Sequence, residues 1–136
     1  MLFKKKDKSK DERNNQPHPG WPWTLNEGGV SRRDIGWQDI ERGLKALCLD
    51  DNSFLILEQS DPHNKKNYWF IQSAIAKMGP NKGQYTVGVG WNGETGPMLV
   101  ERMYHWDALE EELMDIFERA YQYRPLDLTG YKKFDL

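Results

Sequence analysis

The chain has 136 residues, of which 19 are basic, 21 are acidic and 1 is a cysteine. This length suits one domain of ordinary size, and two full domains do not fit. The formal charge of -2 provides no overall basic field, which argues against a nucleic-acid-binding protein. A single cysteine excludes an intramolecular disulfide, and no apolar run reaches the roughly 20 residues that span a bilayer. We therefore expect a cytoplasmic protein without integral membrane association.

Residues 1–33 are predicted to form a flexible leader and arm. The first 13 residues carry six basic and three acidic side chains, and three prolines follow within the segment 17–23. Proline cannot propagate a helix and is poorly tolerated in a central strand, so this segment is interpreted as an extended arm. Trp21 and Trp23 are too apolar to remain in water. They must cover the body of the protein or insert into a partner.

Residues 34–136 are predicted to form a single α+β domain. Apolar residues at helical spacing predict a first helix over about 34–48, and the N-cap residue Asp107 precedes a second helix that ends near Tyr123. Between the helices lie four runs rich in β-branched and aromatic residues, which begin near Phe54, Tyr68, Tyr85 and Met98. This order (α-β-β-β-β-α) predicts a two-layer fold, in which a four-stranded antiparallel meander is flanked by the two helices.

The predicted strands carry apolar side chains on both faces of the sheet. On the second strand, Trp69 and Ile71 point to one face, whereas Tyr68 and Phe70 point to the other. The third strand places Tyr85, Val87, Val89 and Trp91 on one face and Thr86, Gly88, Gly90 and Asn92 on the other. Two helices cover only one face. The arm, the C-terminal tail, a second copy of the chain or a different protein must cover the other.

No motif in the sequence predicts a reaction, a cofactor or a metal site. Gly88–Gly93 has the letters G-x-G-x-x-G, but a strand follows where a dinucleotide site needs a helix. Glycines on one face of a strand instead permit a bend or the close approach of a helix or tail. The three histidines form no i, i+4 pair, and no second cysteine is present. Glu58, Glu101 and His105 remain the candidate groups of an enzyme with a dispersed site, if they converge in a pocket.

The second predicted helix carries an acidic surface. Glu111, Asp115 and Glu118 follow one another at spacings of four and three, so they share one exposed face. This face is either a solvated helix surface or a negative surface that steers a basic partner. The predicted partner-binding residues are these carboxylates together with aromatic anchors, namely Glu111, Asp115, Glu118, Trp69, Trp91 and Tyr104.

In element order and composition, residues 34–123 resemble two groups of small bacterial partner-binding proteins. These are the immunity proteins of toxin–immunity pairs and the secretion-chaperone-like domains. The first resemblance implies a non-enzymatic protein that neutralises a basic toxin. The second, an alternative, implies a chaperone or adaptor that takes up an extended client segment by strand addition and forms a homodimer. A small enzyme is the third possibility. The resemblance includes no motif, so it assigns no role to any residue.

Overall fold

Seven strands and two helices make up the chain in the computed structural model, which describes residues 16–48, 53–75, 80, 82–93, 96–104 and 109–133. In chain order they are β1 (Trp23–Glu27), β2 (Val30–Arg32), α1 (Trp37–Cys48), β3 (Phe54–Ser60), β4 (Tyr68–Ile75), β5 (Tyr85–Gly93), β6 (Gly96–Tyr104), α2 (Leu109–Tyr121) and β7 (Lys132–Lys133). The strands form one antiparallel sheet in the order β2-β1-β3-β4-β5-β6-β7. Both helices pack on one side, which we call the helix face, and the other side is the open face.

The prediction of a four-stranded meander is wrong, because three further strands extend it at its two edges. The predicted strands correspond to β3–β6, whereas β1 and β2 come from the predicted arm and β7 comes from the tail. Gly28 and Gly29, with φ values of 57° and 105°, form the two-residue turn between β1 and β2. Such a turn needs positive φ at both positions, which glycine adopts without steric cost. The α+β composition and the antiparallel pairing agree with the prediction.

Helix α1 begins three residues later than predicted. Asp34 has a φ of 53°, which no helical residue adopts, so the chain turns there instead of starting the helix. The side chain of Asp39 then accepts a hydrogen bond from the N–H of Gly36 at 2.9 Å. This contact satisfies a backbone donor at the helix start. The helix therefore begins at Trp37.

The core lies between the helix face and the two helices. Leu25, Leu57, Ile71 and Val89 form one row across four strands, and all four are fully buried. The helices contribute the buried residues Ile40, Leu44, Leu47, Leu113, Ile116, Phe117 and Ala120. The alternation predicted for β5 is confirmed, because Tyr85, Val87, Val89 and Trp91 all belong to this core.

The arm and the tail both join the helix face. The Trp23 ring meets Trp69 edge-on at a centroid distance of 6.0 Å and also lies 6.0 Å from Tyr121 of α2. At the other end of the sheet, the hydroxyl of Tyr131 lies 3.0 Å from that of Tyr104. The side chains of Trp23 and Tyr131 therefore pack on the helix face, and the described parts of the arm and the tail do not cover the open face.

Candidate functional site: the open face of the sheet

The open face presents a mixture of apolar and polar side chains from β1 and β3–β6. The strand register places these residues on it: Thr24, Asn26, Phe54, Ile56, Glu58, Tyr68, Phe70, Gln72, Ala74, Thr86, Leu99, Glu101 and Met103. Most are half-buried, and Met103 is 37% exposed. Within the described part of the chain, no helix, arm or tail segment packs over this face.

An aromatic patch lies near the middle of the open face, formed by Tyr68, Phe70 and Leu99. The two rings stack with centroids 6.1 Å apart and an interplanar angle of 22°. The Phe70 ring lies directly over Gly90 on the next strand, where a Cβ atom would overlap it. Leu99 is opposite Gly90 on the far side and is only 9% exposed. The close approach to the strand glycine is therefore made by an aromatic side chain, where a helix or tail was expected.

Glu58 borders the aromatic patch. It pairs with Phe70 on β4 and with Thr24 on β1, so its carboxyl group projects from the open face between them. Burial raises the pKa of the Glu58 carboxyl above its ordinary value of 4.5, because a half-buried carboxylate loses part of its hydration. Among the described residues, no cationic side chain lies within ion-pair distance of it.

Of the candidate enzyme groups, the two carboxylates that the structure describes do not converge. Glu101 shares the open face with Glu58, but three strand spacings separate β3 from β6, which puts the two backbones about 14 Å apart. Phe70 and Gln72 lie on β4, one of the two strands between them. His105 lies outside the described residues. The two carboxylates therefore cannot act on one bond as a close acid/base pair.

The predicted aromatic anchors lie on the helix face. Trp69 and Trp91 pair across β4 and β5 and are 1% and 6% exposed, so in this fold they offer a partner almost no surface. Tyr104 is half-buried, with its hydroxyl bonded to Tyr131 and the guanidinium of Arg102 4.8 Å from its ring centroid. These three residues stabilise the packing of the sheet. Side chains alternate between the two faces of a strand, so Tyr68 and Phe70 lie on the face opposite to Trp69. This alternation was the sequence signal that could have identified the exposed aromatic residues.

The predicted acidic surface of α2 contains one internal ion pair. Asp115 accepts two hydrogen bonds from Nε of Arg119, at 3.0 and 3.1 Å, one turn along the helix. Glu111 is exposed and Glu118 is half-buried. Because α2 covers the helix face, these carboxylates lie on the opposite side of the sheet from the aromatic patch. One flat interface cannot include both.

The described residues carry no recognisable catalytic or metal-binding arrangement. Among them, no three His, Cys, Asp or Glu side chains lie together as metal ligands. Neither of the two helices in the described part of the chain is long and apolar enough to cross a membrane. Comparison with protein families, with characterised proteins and with solved structures finds no match to this chain. Any inference about function must therefore come from the surface itself.

Proposed function

We propose that this chain is a non-enzymatic protein-binding protein whose open face covers a basic partner, as an immunity protein covers its toxin. The observation that supports it most is the aromatic patch, in which the half-buried rings of Tyr68 and Phe70 lie on a sheet face that no described element covers. Aromatic side chains surrounded by polar ones are typical of the energetic centre of an interface. A contiguous, partly apolar sheet face is also costly to leave in water.

The charges of the open face support a basic partner. Glu58 has no described cation within ion-pair distance. Glu101 lies opposite Lys132 of the two-residue strand β7 in the strand register, without an ion pair between them. Glu58 loses hydration energy through burial. An ion pair with a cationic side chain of the partner would compensate for that loss. The acidic surface of α2 remains a second surface for attraction at long range, because Glu111 and Glu118 form no ion pair among the described residues.

The test compares the two surfaces in one binding assay. The partner is the purified product of a toxin gene adjacent to this one, and the affinity is measured by calorimetry. Replacing both Tyr68 and Phe70 with serine should weaken binding by about 100-fold, since two interface centres of more than 1 kcal/mol each are lost. Val30→Ser is the matched control, because Val30 is apolar and 65% exposed but lies at the β2 edge.

The opposite result is equally informative. Unchanged affinity in the Tyr68→Ser/Phe70→Ser variant would exclude the open face as the interface. If reversing the charges of Glu111, Asp115 and Glu118 abolished binding instead, the helix surface would be the contact site. Each variant is first compared with the parent protein by circular dichroism, so that a loss of fold is not mistaken for a loss of contact.

Short edge strands favour the chaperone-like alternative as a second candidate. On β6, the two residues of β7 pair only with Val100 and Glu101, which leaves the edge from Gly96 to Leu99 without a described neighbour. An extended client, or a second copy of the chain, would add a strand there through main-chain hydrogen bonds. Amide hydrogen exchange of Met98 and Leu99 should then slow when a client peptide is added. Unchanged exchange at these amides would exclude this mode.

A further inference from the structure

A cleft of about 610 Å³ opens at the corner of the sheet where β1 begins and β3 ends. It exists because β2 pairs with β1 only as far as Arg32 and Leu25. The chain then turns away at Asp34, where φ is 53°, and among the described residues no strand lies beside the outer edge of β1 at Thr24. The volume lies within the range of sites that bind a small molecule or a protruding side chain.

The walls of the cleft combine apolar surface with charged side chains, one of which is the carboxylate of Glu58. Pro22, Ile35 and Pro62 contribute apolar surface, and Glu58 lines the wall that adjoins the open face. The cleft lies next to the aromatic patch, because Glu58 lines the cleft and is paired with Phe70 across β3 and β4. A partner seated on the patch would therefore lie beside the cleft entrance.

The other charged groups around the cleft do not neutralise Glu58. Arg33 and Lys65 line it as exposed side chains, and neither lies within ion-pair distance of Glu58 among the described residues. Asp34 is exposed at the opposite wall. Asp61 is already engaged by its own loop, since Oδ1 accepts the N–H of His63 at 2.9 Å. Glu58 is left as the half-buried carboxylate that has no described hydrogen-bond donor.

We propose that this cleft receives an arginine side chain of the protein partner, with Glu58 accepting hydrogen bonds from the guanidinium group. The inference rests on the proposed function and specifies the chemistry of its contact. Arginine fits better than lysine, because its planar guanidinium is weakly hydrated and donates two parallel hydrogen bonds to one carboxylate. The prolines and Ile35 would cover the methylene groups of the arginine stem.

The experiment uses the full chain, labelled with nitrogen-15 and carbon-13, and titrates it with N-acetyl-arginine methylamide. Saturable shifts should be confined to the cleft, including the Thr24 and Ser60 amides and the Glu58 carboxyl carbon. Glu58→Gln should weaken this binding at least about tenfold, because a neutral amide pairs poorly with a guanidinium. Glu101→Gln is the matched control on the same face and should leave it unchanged. Binding should also weaken on acidification at a pH above the ordinary Glu value of 4.5, because the Glu58 pKa is raised.

Three results would overturn the inference. These are the absence of saturable shifts, equal shifts with the isosteric neutral probe N-acetyl-citrulline methylamide, or unchanged binding in Glu58→Gln. Saturable shifts with acetate, centred on Arg33 and Lys65, would make the cleft an anion site and overturn it as well. The probe requires no protein partner, so failure here is distinguishable from failure of the proposed function. The Tyr68→Ser/Phe70→Ser comparison tests that function separately.

Discussion

Gln59, buried near the end of β3, binds the backbone of His18 in both directions. Its Oε1 accepts the N–H of His18 at 2.8 Å, and its Nε2 donates to the carbonyl oxygen of His18 at 2.9 Å. Nε2 also donates to the carbonyl oxygen of Trp21 at 3.0 Å. The Gln59 side chain thus supplies to the backbone of His18 and Trp21 the hydrogen bonds that a neighbouring strand would otherwise supply. These bonds fix the position of the segment that leads into β1.

Replacing Gln59 with leucine should lower the free energy of unfolding by about 2–4 kcal/mol. Three hydrogen bonds disappear, and the His18 N–H is left without its partner in a partly buried position. Urea unfolding measures the loss, and limited proteolysis should show faster cleavage between residues 16 and 22. Gln72→Leu is the control, because it makes the same change on the open face and should alter stability by less than about 0.5 kcal/mol. Equal losses in the two variants would contradict the role given to Gln59.

The central part of the fold follows from local patterns in the sequence. Alternation along residues 85–91 and the helical stripe of Leu113, Phe117 and Ala120 both identify the buried face correctly. These patterns are readable because a side-chain period of two or 3.6 residues follows directly from backbone geometry. The strands β3–β6 and both helices were therefore predictable.

The edges of the sheet did not follow from such patterns. Three prolines before Trp23 favoured an arm, yet Pro22 stands just outside β1, where it removes no strand hydrogen bond. The signal that could have identified the hairpin was Gly28-Gly29 between two short runs. Strand β7 consists of Lys132 and Lys133, whose sequence has no strand pattern. It is positioned instead by the contact of Tyr131 with Tyr104.

For the candidate site, the sequence predicted which residues form the second face of the sheet. It did not predict whether another part of the chain covers that face. Strand phase alone grouped Tyr68 with Phe70 and separated both from Trp69. Whether the arm or tail covers that face depends on contacts between residues far apart in the sequence, such as Gln59 with His18. A repeating pattern of neighbouring residues does not reveal such contacts. The cleft beside Glu58 likewise depends on where β2 stops pairing with β1.

Replacing Gly90 with alanine should disturb the aromatic patch. The new methyl group would overlap the Phe70 ring, which must then leave its position over β5. We expect a stability loss of about 1–3 kcal/mol from overpacking, measured by thermal unfolding, and loss of the nuclear Overhauser contacts between Phe70 and residue 90. Gly88→Ala is the control on the same face of the same strand. There the nearest atoms, Cγ and Nε2 of Gln72, lie 3.3 Å away and belong to a flexible side chain. A Gly90→Ala protein as stable as Gly88→Ala would show that the ring does not occupy this position.

Glu58→Gln should stabilise the isolated protein at neutral pH. Because burial raises the Glu58 pKa, the folded state binds the proton of this carboxyl more tightly than the unfolded state does. The resulting contribution to the free energy of unfolding is present below the unfolded-state pKa of 4.5 and is lost as the pH rises through the folded-state pKa. Ionised Glu58 therefore costs stability at neutral pH, and a neutral amide removes that cost. The gain should disappear at about pH 3, where both states hold the proton. Denaturant unfolding at the two pH values checks this, with Glu101→Gln as the control for removing a charge. A loss of stability at neutral pH would mean that the carboxylate is favourably solvated.

Tyr131→Phe should make the protein less sensitive to alkaline pH. Burial, and then the hydrogen bond with Tyr104, raises the Tyr131 pKa above its ordinary value of 10.0. The unfolded chain therefore ionises this phenol before the folded chain does, and the contribution of Tyr131 to stability is present below pH 10 and lost above it. At neutral pH, Tyr131→Phe should cost about 1 kcal/mol for the lost hydrogen bond, yet its stability should fall less between neutral pH and about pH 11. Tyr123→Phe, at a residue 39% exposed, should keep the full alkaline loss. Parallel pH profiles for all three proteins would exclude the Tyr104–Tyr131 contact as the cause.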